Sequence, residues 1–248
     1  MKKTIMFFTK IVVFSFFFLS CQQSADEYYN SAMESAKNKD IESMTKTLEA
    51  LDRAIEINPR LAKAYLERGK INFRMQYLKS IIKDTVELFP LLEAIESDPM
   101  YERALNDYDK AFELDSDLLN DVLINKGTVY LVLNEYQKAL PNLVKSLTID
   151  PNNKEVIGNA ARCKFLLQDT SGAVILMDQL VGINPNDAEN YYNRAIFRVV
   201  DLKDTEGGCE DLNKALRLFD ANKTYDTIKL NEKIENLMRI NCDDDKRL

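Results

Sequence analysis

Few side chains in this sequence have the types and spacing that catalysis or metal binding requires. The chain contains no histidine, which excludes Ser–His–Asp and Cys–His catalytic sites and histidine-ligated metals. Its glycines form neither a Gly-x-Gly-x-x-Gly pattern nor a phosphate-binding loop. Residues 115–117 begin like a calcium-binding loop, but Asn120 and Lys126 stand where such a loop needs glycine and glutamate. The sequence therefore predicts a protein that is not an enzyme, with no metal site and no cofactor.

The N-terminus has the features of a secretion signal. Lys2 and Lys3 precede an apolar run of about nine residues that begins at Ile11 and ends next to a small residue, Ser20. The run is shorter than the roughly 20 apolar residues that span a bilayer. We therefore expect residues 1–20 to be a signal peptide.

The end of this signal resembles the lipobox of bacterial lipoproteins, in the run Phe18-Leu19-Ser20-Cys21. The resemblance implies that Cys21 becomes the first mature residue and carries the lipid, with residues 21–24 as a tether. Gln22 resembles the outer-membrane default of lipoprotein sorting, which predicts an outer-membrane lipoprotein of the cell envelope, facing the periplasm or the cell surface. The alternative is a plain secretion signal in which the cysteine is incidental.

The charge of the chain limits its partners. The formal charge is −7, and removing residues 1–20 removes three lysines and no acidic residue, so the mature chain carries −10. An acidic surface repels the phosphates of nucleic acids and the headgroups of anionic lipids. We therefore expect no nucleic-acid partner, and we expect membrane contact through the lipid anchor alone.

Three of the four cysteines lie after Cys21. An odd number does not form a disulfide framework. Cys163 is expected to be a buried small hydrophobic residue. Cys209 and Cys242 could meet if the final helix folds back, and the sequence leaves that pairing open.

The middle of the chain repeats itself at a spacing of 34 residues. Gly127, Ala139, Ser146 and Pro151 correspond to Ala161, Ala173, Leu180 and Pro185, and three of these four partners are small or proline. A fixed period of this length indicates stacked supersecondary units. Small residues allow two helices to cross at about 8–10 Å, and proline cannot continue a helix. Apolar residues between them follow helical spacing, and we predict no strand.

These residue types and offsets resemble the tetratricopeptide repeat (TPR), in which each repeat is a pair of antiparallel helices. The resemblance implies an all-α fold, a right-handed superhelix (α-solenoid) of about five helix pairs plus a C-terminal capping helix. It covers residues 25–240, and an acidic tail follows at 241–248. The predicted repeats and capping helix are 25–59, 60–116, 117–151, 152–185, 186–220 and 224–239.

Two repeats depart from the family pattern. Repeat two contains 28 residues between Met75 and Ala104, where the family has about six. We predict an extra helix inserted at 76–98, either as a lengthened hairpin packed into the core or as a projecting partner-binding element. Repeat five contains a one-residue insertion before Gly208.

In the TPR family, the first helices of successive repeats line a concave groove that holds a peptide or a partner helix. Aligning the small residues places one mostly apolar and aromatic set of positions on that wall, of which about half could instead be core. The set is Lys70, Phe73, Ile124, Leu131, Arg162, Phe165, Tyr192 and Ile196.

The sequence thus predicts a non-catalytic protein–protein interaction scaffold, lipid-anchored in the bacterial envelope, that binds a peptide or partner protein of unknown identity. The alternative is a dedicated assembly factor of an envelope machine, such as one for outer-membrane β-barrel insertion or a secretion-pore pilotin.

Overall fold

The computed structural model describes residues 23–82, 100–220 and 225–242, and this part of the chain is helical without strands. The signal peptide, Cys21, most of the insertion and the end of the acidic tail therefore lie outside the described residues. The α-helices are α1 Ala25–Ser35, α2 Ile41–Ile57, α3 Ala62–Ile82, α4 Met100–Leu114, α5 Leu119–Val132, α6 Tyr136–Ile149, α7 Lys154–Leu166, α8 Thr170–Ile183, α9 Ala188–Phe197, α10 Thr205–Asp220 and α11 Tyr225–Asn241. Ten of them form five helix pairs, and α11 follows as the C-terminal helix, which confirms the predicted fold class.

Helix ends are set by local sequence. Asp40, Asn153 and Asp169 accept hydrogen bonds from backbone N–H groups in the first turns of α2, α7 and α8. A proline lies two residues after the last residue of α2, α6 and α8. Because proline has no N–H, it cannot continue the helix, and each of these helices ends before it. These stops define where one helix pair gives way to the next.

The chain divides into two compact units, Met1–Val122 and Leu123–Leu248. In the first, α1, α2 and α3 meet around Ala32, Leu51, Ala54 and Ala64, all of which are fully buried. A second cluster joins α2, α3 and α4 through Met44, Ile71, Met75 and Met100. In repeat two, α3 continues seven residues beyond Met75. The rest of the insertion, and the extra helix predicted there, lie outside the described residues.

The second unit packs around successive helices in the same way. Leu143 of α6 clusters with Val156, Ala160 and Cys163 of α7, and burial raises the pKa of the Cys163 thiol to about 11. The single extra residue of repeat five is taken up by a π-helix at Arg198–Leu202, since a π turn holds one more residue than an α turn. Ile234 of α11 is fully buried against α9 and α10, and Cys209 of α10 forms a disulfide with Cys242.

Gly127 is a close crossing point between α5 and α6. A Cβ built on it would lie 2.6 Å from Leu143 Cδ2. We predict that Gly127→Leu or Ala161→Leu overpacks its interface and lowers the free energy of unfolding by about 1–3 kcal/mol. Gly182→Leu is the matched control, because nothing lies within 4 Å of a Cβ at Gly182. Thermal melts with unchanged midpoints in both test variants would contradict the repeat phasing.

Two partly buried arginine–aspartate networks connect neighbouring helices. In the first unit, Arg68 of α3 donates from Nε and Nη2 to Asp107 of α4 at 2.9 and 2.7 Å, and from Nη1 to Asp52 of α2 at 2.7 Å. Burial raises the pKa of the Asp107 carboxyl, and hydrogen bonds from Arg68 act in the opposite direction. Each such network fixes both helices of one repeat to the second helix of the repeat before it.

The second unit repeats this network atom for atom. Arg194 of α9 donates from Nε and Nη2 to Asp211 of α10 at 2.8 and 2.6 Å, and from Nη1 to Asp178 of α8 at 2.8 Å. Both arginines lie 16 residues after the first aspartate. The second aspartate follows 39 residues after Arg68 but 17 after Arg194, and the difference of 22 equals the excess length of repeat two.

Candidate functional site

An open cavity of about 680 Å³ lies between α7, α8 and α9 in the second unit. Helix α7 supplies one wall, α9 the opposite wall, and α8 the floor between them. Its lining residues are Lys154, Glu155, Gly158, Asn159, Arg162, Phe165, Leu166, Met177, Leu180, Glu189, Asn190, Asn193 and Phe197. Two basic and two acidic side chains line the cavity, so their formal charges sum to zero. The cavity is therefore distinguished by its polarity and shape and not by its net charge.

Three asparagines line the cavity and make no hydrogen bond to any described residue. They are Asn159 of α7 and Asn190 and Asn193 of α9, and Asn190 is only 7% exposed. A primary amide offers one acceptor and two donor hydrogens, which matches the C=O and N–H of a peptide main chain. These amides are therefore able to exchange hydrogen bonds with a peptide main chain that enters the cavity.

The asparagines also follow the repeat period. Asn125, Asn159 and Asn193 are spaced by 34 residues and occupy the same place on α5, α7 and α9. This column was not predicted, because the repeats were aligned on small residues and the expected contacts were charged or aromatic. The signal was available, since one polar residue type recurs at the same place in three consecutive repeats.

Aromatic side chains form the apolar part of the cavity. Phe165 of α7 and Phe197 of α9 stack with ring centroids 4.4 Å apart and an interplanar angle of 20°. Met177 and Leu180 of α8 are buried beside the rings. Arg162 lies exposed on the cavity wall and forms no ion pair with a described residue. The cavity therefore combines an apolar surface, unpaired amides and one free guanidinium.

The structure brings together only two of the predicted groove residues, Arg162 and Phe165, in this cavity. Tyr192 is half-buried against α10 and α11, and this burial raises the pKa of its phenol. Ile196 is half-buried in the cluster that α7, α8 and α9 share. Both contribute to packing as well as to the surface.

Leu131 belongs to the core, which is the alternative left open for about half of the predicted groove set. It is 6% exposed and lies in a core cluster with Val156 and Ala160 of α7. Phe165 occupies the same place one repeat later, but its longer side chain reaches the cavity surface. Ile124 packs half-buried against the same cluster as Leu131.

The two candidates in the first unit lie in a different setting. Lys70 forms an ion pair with Glu67 at 2.9 Å. Phe73 is half-buried between Tyr77 and Tyr101, with centroid distances of 6.1 and 5.9 Å. They do not line the cavity of the second unit.

Among the described residues, no group of three or more His, Cys, Asp or Glu side chains is placed to hold a metal ion. No helix in the described ranges is both long and apolar enough to cross a bilayer.

Comparison with known proteins identifies the repeat type. The chain is 26% identical over 160 residues to the Hsp70-Hsp90 organizing protein of Triticum aestivum, an alignment that covers 56% of this chain and 26% of that relative. This chain thus spans about a quarter of the length of the curated relative it matches.

Solved structures share the fold. MamA (residues 41 to the end) from Desulfovibrio magneticus RS-1 has a TM-score of 0.64 at 16% identity, covering 83% of this chain and 100% of that one. YrrB, titled a TPR protein with an unusual peptide-binding site, has a TM-score of 0.57 at 20% identity, covering 85% and 92%. At such low identity the likeness shows the fold alone.

A family model described as "Regulator of microtubule dynamics protein 1-3" matches residues 28–171, which is more than half of the chain. The match includes α2 to α7 in full, and with them Arg68 and Asn159 but not Arg194 or Asn193. The chain is a TPR-type α-solenoid, and it belongs to the family of regulators of microtubule dynamics proteins 1–3.

Proposed function

We propose that this chain is a non-catalytic scaffold that binds an extended peptide segment of a partner protein in the cavity between α7, α8 and α9. We also propose that it is held in the bacterial cell envelope by a lipid on Cys21. The observation that carries the first proposal is the set of unpaired amides at Asn159, Asn190 and Asn193 beside the Phe165–Phe197 stack.

An extended peptide is the ligand whose chemistry fits these groups. Its main chain alternates hydrogen-bond donors and acceptors, and each asparagine can meet one of each. Its side chains would pack on the aromatic rings, which supply large contact areas with little conformational entropy to lose. A carboxylate on the peptide would pair with Arg162 in a charge-assisted hydrogen bond.

The relatives support an interaction role at a coarser level. The YrrB title names a peptide-binding site, and the wheat relative is named for organizing two other proteins. The family description refers to microtubule dynamics. The family supports the helical-repeat fold of this chain. Activity in microtubule dynamics is stated only of the proteins that the family description names.

The peptide proposal predicts separate effects on binding and on folding. Asn193→Ala, Arg162→Ala and Phe165→Ala should each weaken binding of a peptide selected by display on the full-length chain. A true hot spot costs at least about 2 kcal/mol, a roughly 30-fold loss of affinity. Fluorescence anisotropy of the labelled peptide measures the affinity, and circular dichroism melts show that each variant is folded.

Asn213→Ala is the matched control, because Asn213 is exposed on α10 and bonds only to the Cys209 carbonyl. It should leave peptide affinity unchanged. Tyr192→Ala should lower the melting temperature, since its side chain packs against α10 and α11. Folded cavity variants that bind the peptide as well as the wild type would place the binding surface elsewhere.

The anchor proposal rests on the signal and lipobox at residues 1–21. Cys21→Ser should abolish incorporation of labelled palmitate and leave an uncleaved or soluble form. Labelling is compared with that of Cys163→Ser, whose thiol lies in the core. Equal palmitate incorporation in wild type and Cys21→Ser would overturn the anchor.

A further inference from the structure

A second cavity, of about 410 Å³, lies entirely within the first unit, between α2, α3 and α4. Asp52, Arg68 and Asp107 of the buried network line it, together with Asn72 of α3. Asn72 is 4% exposed, and its amide makes no hydrogen bond to any described residue. The Asn72 amide therefore faces the cavity and can exchange hydrogen bonds with a group that enters it.

The second unit shows which group occupies the matching place. Arg198 lies four residues after Arg194, as Asn72 lies four residues after Arg68. Arg198 Nη1 donates to Asp211 Oδ2 at 2.9 Å, and Arg198 Nη2 lies 3.7 Å from Asp178 Oδ1. A second guanidinium therefore sits on the same two carboxylates that hold the first.

In the first unit, Asn72 stands at the position of Arg198, and the second guanidinium that lines the cavity, that of Arg103, comes from α4 instead. Asn72 is too short to reach the carboxylates as Arg198 does, and the cavity occupies the remaining space. Asp107 and Asp52 each accept hydrogen bonds only from Arg68 among the described residues. Asp107 Oδ2 is the counterpart of Asp211 Oδ2, the oxygen to which Arg198 donates. It accepts a hydrogen bond from Arg68 Nε, as Asp211 Oδ2 accepts one from Arg194 Nε.

We propose that this cavity binds the guanidinium group of an arginine side chain from a partner protein. The planar fork of a guanidinium matches carboxylate oxygens in a way that a lysine ammonium does not. The Asn72 amide oxygen would accept one of its remaining N–H groups. The site goes beyond the proposed peptide cavity, because residues of the first unit alone form it.

Arg103 allows a cationic ligand to be distinguished from an anionic one. Its exposed side chain lines the cavity from α4, where the second unit has Gly207, and it brings the charge of the four ionised lining groups to zero. A cationic ligand is therefore repelled by Arg103, whereas an anionic ligand would be attracted by it. Replacing Arg103 must strengthen the binding of a cationic ligand and weaken the binding of an anionic ligand.

The experiment titrates the purified full-length chain with agmatine, a small molecule with a free guanidinium, by isothermal calorimetry. 1,5-Diaminopentane serves as the ammonium control and inorganic phosphate as the anion control. We expect agmatine to bind at least tenfold more tightly than 1,5-diaminopentane. Asn72→Arg should abolish agmatine binding, because the new side chain fills the site as Arg198 does, and Arg103→Ala should tighten it several-fold.

Asp52→Asn is the second variant, since Asp52 is half-exposed and its change should leave the chain folded. It should weaken agmatine binding at least tenfold without altering the peptide affinity of the α7–α9 cavity. The proposal is overturned if agmatine does not bind, if it binds Asn72→Arg as well as the wild type, or if Arg103→Ala weakens it. Phosphate binding that strengthens in Asn72→Arg would assign an anion site instead.

Discussion

Replacing Asp211 by asparagine should lower the free energy of unfolding by about 3–5 kcal/mol, because it leaves a buried guanidinium without its counter-charge. Both Asp211 oxygens accept hydrogen bonds from Arg194, and Oδ2 also accepts one from Arg198. The side chain is 5% exposed, so water cannot replace these bonds. Chemical denaturation of the full-length chain measures the loss.

Asp178→Asn is the matched control for this prediction. Asp178 contacts the same two arginines, but its side chain is 50% exposed. Exposed ion pairs contribute about 0–1 kcal/mol, so the control should lose no more than that. Equal losses in the two variants would show that burial of Asp211 does not govern the network.

Breaking the Cys209–Cys242 disulfide should destabilise the second unit by about 3–4 kcal/mol. The bond closes a loop with a sequence separation of 33 residues, and the chain-entropy model gives this magnitude for such a loop. The loop contains most of α10 and all of α11, so α11 should be lost first. Dithiothreitol should therefore lower the melting temperature of the wild type.

The double variant Cys209→Ser/Cys242→Ser controls for other effects of the reductant. It should melt at the temperature of the reduced wild type and show no response to dithiothreitol. A wild-type melting temperature that is insensitive to the reductant would contradict the prediction. Disulfides persist in oxidising compartments, which agrees with the proposed secretion of the chain.

The helix pairs were predictable because packing at a helix crossing imposes residue size. Gly127 shows this directly, since Leu143 of the facing helix occupies the space where its Cβ would stand. The stopping points were equally local, because a proline lies two residues beyond the ends of α2, α6 and α8, although Pro141 is tolerated inside α6. Such short-range rules need no knowledge of which other helices are adjacent.

Predicting the ion-pair networks and the binding cavity would have required knowledge of which helices are adjacent. Arg68 and Asp107 are 39 residues apart, whereas Arg194 and Asp211 are 17 residues apart. The two pairs are recognised as equivalent only when the length of the insertion in repeat two is subtracted. Leu131 and Phe165 share a repeat position, yet one is core and the other lines a cavity, because side-chain length decides which reaches the surface. The disulfide depended on how α11 folds back, which the sequence left open.

The most direct test of the scaffold assignment is photo-crosslinking in the native cells. A photoreactive amino acid replaces Leu166, an exposed residue that lines the α7–α9 cavity, or Asn213 on the exposed face of α10, and adducts are mapped by mass spectrometry. We predict a discrete adduct from position 166, on an extended segment of one partner protein, and none from position 213. Equal adducts from both positions, or an adduct from position 213 alone, would contradict peptide binding in this cavity.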